Sequence, residues 1–181
     1  MSVKPGTYNP GPQNAKLIVH TRRAGGAAKA GHDLMIEVTS WNGTLQLGEE
    51  PNDTSVTLHA DGSSLRVREG HGGIKKLDED DKQNIQETID DEVLKSTSID
   101  FRSTAVEGSA ESGRLTVRGE LEFVGRSNPI EFDLNIEDDG HLTASATVKQ
   151  SDWGIKPYST LFGALRVRDE VTVTIDGNLE G

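Results

Sequence analysis

The chain contains no cysteine, which excludes disulfide staples, thiolate metal ligands and a cysteine nucleophile. Basic charge is scarce: 19 Lys and Arg face 30 Asp and Glu, a formal charge of −11. A nucleic-acid binder needs a basic face to neutralise phosphates, so no nucleic acid is expected as partner. The same balance disfavours broad docking on an anionic membrane. No run approaches the ~18 apolar residues of a spanning helix. The opening stretch MSVKPGTYNPGPQNAK has no apolar segment either, so no secretory signal is expected, and the location is expected to be cytoplasmic. Aromatics are 4% and apolar residues 33% of the chain. That is little for a filled core and suits one sheet curled round a cavity.

What is present is period-two patterning. Leu17 and Val19, then Leu34, Ile36 and Val38, alternate with polar neighbours. The second half is cleaner. Leu115, Val117, Gly119, Leu121 and Phe123 alternate with Thr116, Arg118, Glu120 and Glu122, and similar rows follow over 130–137, 142–149 and 171–176. Ser112-Gly113, Ser127-Asn128-Pro129 and Asp139-Gly140 are tight links, which imply antiparallel neighbours. One segment breaks the pattern. Asp80 and Gln83 form a capping-box signature, and Ile85, Ile89 and Val93 recur at helical spacing. A helix is predicted over about 81–94, with a thin apolar stripe suited to covering a barrel edge. Residues 1–14 are an extended lead-in and 15–181 one all-β domain, a closed or nearly closed antiparallel barrel.

The apolar face carries small residues: Ser103, Ala105, Gly119, Ala144 and Ala146. They either leave room for an elongated apolar ligand or fit the taper of a filled barrel. Phe101, Leu121, Phe123, Phe132 and Leu134 are the candidate lining. The loop after the 142–149 strand gathers Trp153, Lys156, Tyr158 and Phe162, where Lys156 and Tyr158 offer polar tips beside an aromatic wall. His32-Asp33 follows a Gly/Ala-rich loop, and His32 is a candidate for the polar end of a ligand. Adjacent strand residues point to opposite faces, so His32 and Asp33 form no dyad. Arg22, Arg23 and Lys29 could cradle a phosphate, but their loop lacks the spacing of a phosphate-binding fingerprint. The five histidines show no metal-ligand spacing, and 78–83 fails the calcium-loop pattern. There is no GxSxG. No metal, cofactor or catalytic residue is expected.

Four stretches in order resemble one family. They are DDEVLKSTSIDFRSTAV (90–106), GRLTVRGELEFVGRSNPIEFDL (113–134), SDWGIKPYS (151–159) and GALRVRDEVTVTIDGNL (163–179). The chain resembles the YceI-like family of lipocalin-like, polyisoprenoid-binding barrels. The resemblance implies an extended eight-stranded antiparallel barrel with a tunnel-like pore and no common catalytic apparatus. It implies a long apolar partner, such as a polyprenyl phosphate or an isoprenoid quinone. HTRRAGGAAKAGHDLMIEVTSWNG (20–43) departs from the family's more usual opening and looks like a cytoplasmic subgroup. A small enzyme with His32 as acid/base and a ligand-free interaction scaffold are the competing readings. An exposed sheet edge leaves a homodimer open.

Overall fold

A computed structural model describes residues 3–160 and 165–179. Fourteen strands are present among them: β1 (Gly6–Tyr8), β2 (Ala15–Thr21), β3 (Arg23–Ala24), β4 (Asp33–Val38), β5 (Trp41–Leu47), β6 (Ser55–Asp61), β7 (Leu65–His71), β8 (Ser98–Ser109), β9 (Arg114–Phe123), β10 (Arg126–Ile136), β11 (His141–Lys149), β12 (Ser159–Thr160), β13 (Leu165–Val167) and β14 (Glu170–Asn178). Eleven form one antiparallel sheet in the order β1-β5-β6-β8-β9-β10-β11-β14-β2-β4-β7. The other three form a small sheet, β12-β13-β3. Eleven strands, rather than eight, arise because the first half of the chain breaks into short strands while β8 to β11 run nine to twelve residues each.

Only Thr39 and Ser40 join β4 to β5, although the two strands lie near opposite ends of the sheet order. So short a link is feasible only if the sheet curls until its ends approach. Hydrogen bonds fasten that corner: Thr39 N–H donates to Ser64 O and Asp61 N–H to Ser40 O, both at 3.0 Å. The lower end of β4 and β7 thereby meets the upper end of β5 and β6. Strand stagger accumulating around a barrel produces this offset. Here "upper" denotes the end where β2 finishes and β14 begins.

Helix α1 (Glu79–Thr88) covers the exposed edge of β7. Its Gln86 side chain accepts the Val67 N–H at 2.8 Å, satisfying a donor that an edge strand leaves open. The helix cap lies two residues earlier than the sequence suggested. Asp78 caps the helix, and its carboxylate and that of Asp81 each accept the other's backbone N–H. Those N–H bonds, with Lys75 beside it at 3.1 Å, hold the Asp81 carboxyl below its usual range. A π-helical turn over Ile89–Leu94 continues the helix. Its wider winding offsets the sideways drift of an i, i+4 row and keeps Ile85, Ile89 and Val93 on one side.

Inward residues of the lower strand ends pack into a dry core. Val3, Ala15, Leu47, Val106, Leu115, Val117, Ile136 and Leu179 are all buried there, Val117 completely. Ala105 does not belong to the inner face. A bulge between Ser103 and Ala105 inserts Thr104 as an extra residue, so Ala105 pairs with Arg118, faces solvent and leaves Val106 to point inward.

A hollow upper half as candidate functional site

Above the core the barrel is empty. An apolar cavity of about 520 Å³ lies between Val19, Leu34 and Ile36 on one side and Phe101, Leu121 and Phe132 on the other. Ile85, Ile89 and Val93 close it along the helix, and Leu45, Leu134 and Leu142 form its floor. Ala144 and Ala146 face into it, so small side chains create the space, as the sequence pattern allowed. Gly119 serves a different end. A Cβ there would meet the Phe101 ring at 2.6 Å and Arg102 O at 2.3 Å, so the glycine lets that ring lie flat on the wall. Phe101 in turn packs on Phe132, with ring centroids 5.3 Å apart.

The upper rim is built from two distant segments. Val167 N–H donates to Tyr158 O at 3.0 Å and Arg168 N–H to Arg22 O at 2.8 Å, which brings the small sheet across the opening. Thr21, Gln150, Ile155, Tyr158 and Val167 line the cavity here. Tyr158 reaches from the wall to solvent, 45% exposed, and marks this end as the mouth. A second depression, about 700 Å³, lies outside the barrel on β10, β11 and β14. It is larger but open to water and lined by Glu131, Asp133, Asn135 and Asp176, so it offers no apolar enclosure.

The YceI-like domain family matches residues 19–179. The chain belongs to the YceI-like family. Membership places it among barrels associated with apolar ligands. In shape, this YceI-like chain is similar to BcnA of Burkholderia cenocepacia, known from its crystal structure, with a TM-score of 0.63. The match covers 90% of this chain and 94% of that one at 12% identity, which shows a shared fold. No curated protein matched in sequence.

Six of the residues expected to surround a ligand lie on the cavity wall: Phe101, Leu121, Phe123, Phe132, Leu134 and Tyr158. Trp153 does not. It is buried behind the wall, stacked on Phe123 with centroids 5.0 Å apart, and its indole N–H donates to Leu121 O at 2.9 Å. Phe162 falls outside the described residues. His32 is also absent from the wall. Its Nε2 lies 2.7 Å from Lys75 O and its ring rests on Gly73, where a Cβ would collide with it, so it pins one surface loop to another. Asp33 points elsewhere and accepts the Arg23 N–H at 2.9 Å. Lys156 is exposed on the rim between wall residues Ile155 and Tyr158.

Sequence reasoning missed the helix residues as wall, although their i, i+4 row was visible. It also missed three exterior histidine–carboxylate contacts: His59 with Asp100 at 2.6 Å, His71 with Glu69 at 3.0 Å and His141 with Asp176 at 2.9 Å. Asp176 donates no proton to His141; it accepts the ring N–H and holds the imidazole above its ordinary pKa, with Glu137 and Asp139 adding charge. Among the described residues no cluster of three His, Asp or Glu side chains could hold a metal. None of these helices is long and apolar enough to cross a membrane.

Proposed function

We propose that this protein is a non-catalytic carrier that holds a long apolar chain, of isoprenoid or similar lipid type, inside the upper half of its barrel. The observation that carries the reading is the enclosed apolar cavity of about 520 Å³, which lies in the range of small-molecule sites. Its wall presents aliphatic and aromatic groups, with hydroxyls and amides only at scattered positions such as Thr21, Thr44 and Asn84. Water in such a space finds few partners, so an apolar chain displaces it favourably. Family membership supports the same class of ligand. The proton-transfer alternative needs His32 at the substrate, and His32 is held by Lys75 O away from the cavity wall.

Mass spectrometry of an organic extract from gently purified protein tests this reading. A stoichiometric lipid, absent from a denatured and washed control, is the expected result. A barrel that is empty after expression in the native host, and that takes up no lipid on incubation, defeats it.

A further inference from the structure

We propose that the preferred ligand is a single-chain amphiphile with an anionic head group and a tail of about twenty carbons at most. This rests on the lipid-carrying reading and narrows it. Two separate observations carry it, one for each end of the ligand.

The tail is limited by the floor. Leu45, Leu134 and Leu142 close the cavity below, and the buried core beneath them offers no exit. At ~20 Å³ per chain carbon and an interior packing density of ~0.74, a space of about 520 Å³ holds roughly twenty carbons. A polyisoprenoid twice that long would leave half its chain in water and gain nothing from it.

The head is selected by charge. Residues 20–33 and 149–169 frame the mouth. They carry Arg22, Arg23, Lys29, Lys149, Lys156, Arg166 and Arg168 against only Asp33, Asp152 and Asp169, in a chain whose net charge is −11. Much of the local acid is already engaged. Asp33 lies 3.9 Å from Arg23 Nε, and Asp169 accepts the Ser151 N–H and hydroxyl. Arg23 donates to Gly31 O at 2.7 Å and is spoken for as well. Arg22, Lys29, Lys156 and Arg168 have no side-chain partner among the described residues, and the Arg168 N–H to Arg22 O bond sets two of them side by side. Cations gathered at the rim of a low-dielectric cavity attract an anion, and guanidinium groups suit a carboxylate or phosphate. The shared chemistry is a terminal carboxylate or phosphate on one chain, as in a fatty acid or a short isoprenyl phosphate.

Displacement of fluorescent cis-parinaric acid from the full chain tests both parts. Competition is expected to strengthen from laurate to stearate and to gain nothing further with lignocerate or octaprenyl phosphate. Stearyl alcohol is expected to compete roughly tenfold more weakly than stearate at low salt, with the gap closing at high salt. The triple variant Arg22→Glu/Lys156→Glu/Arg168→Glu should erase that gap and leave the alcohol unchanged. Geranylgeranyl phosphate against stearate then separates the two sources of the anion. Octaprenyl phosphate competing more than tenfold better than stearate overturns the tail limit, and an alcohol as tight as the acid overturns the head group. If parinaric acid and every neutral and anionic chain fail to bind, the carrier reading itself falls.

Discussion

The lower and upper halves of this barrel share the same strands but use them differently. Along β9, Leu115 and Val117 pack below into a dry core, while Leu121 and Phe123 above look onto empty space. Along β11, Leu142 forms the floor and Ala144 and Ala146 stand over it. The lower half supplies stability because its side chains meet others on every side. The upper half gives up part of that contact in exchange for room. Apolar burial and apolar packing are thus separable within a single sheet.

Truncation should expose the difference most strongly. Leu115→Ala removes a side chain only 2% exposed and is expected to cost about 3 kcal/mol. Val173→Ala, on the hollow wall, should cost about 1 kcal/mol, because part of its surface already borders a void. Urea unfolding of both variants checks this, and equal losses would mean that the halves are packed alike. Enlargement gives the converse. Gly119→Ala drives a methyl into the Phe101 ring and Arg102 O and should cost about 2 kcal/mol. Ala146→Phe fills empty space, so its stability should change by less than about 1 kcal/mol while lipid uptake falls. A severe loss of stability in Ala146→Phe would show that the cavity is smaller in solution.

The helix that walls the upper half has its own test. Gln86→Met leaves the Val67 N–H without its acceptor and should cost about 1 kcal/mol. Hydrogen exchange at Val67 should accelerate, while Val117, in the lower half, should stay protected. The smallest effect belongs to the outer surface. His141 has a raised pKa in the folded state, chiefly through its hydrogen bond to Asp176, so the pair stabilises fully below the unfolded histidine value of 6.5. That contribution is lost as pH rises through the folded value. The gap in Tm between the parent and His141→Gln should therefore be widest in mild acid and vanish in alkali. An NMR titration placing His141 at or below 6.5 would contradict the pair.

The long strands were legible because half-buried strands must alternate, and β9, β10, β11 and β14 do so over nine or more residues. β1, β3, β12 and β13 were not, since two or three residues carry no period. Alternation also misassigned Ala105, because one extra residue at a bulge reverses every face beyond it. Helical spacing located α1, but with several adjacent acids the capping residue was ambiguous, and Asp78 rather than Asp80 takes the role. Most of the cavity wall followed from the same alternation. Trp153 did not, since hydrophobicity says that a ring is buried and not whether it faces the void or seals the layer behind it.

The seam between β2 and β14 also bears on how the protein forms. His20 and Thr174, 3.1 Å apart across that seam, are separated by 154 positions in the chain. Local hairpins such as β9–β10 are available early in folding, but closing this seam requires a large loop to be ordered first, which slows the reaction. The pairing of β13 with β3 at the mouth depends on the same encounter. During synthesis, a nascent chain that lacks β14 has an incomplete wall and exposes apolar faces that the finished barrel encloses. The container is completed late, so cargo is loaded after the chain is made rather than while it is emerging.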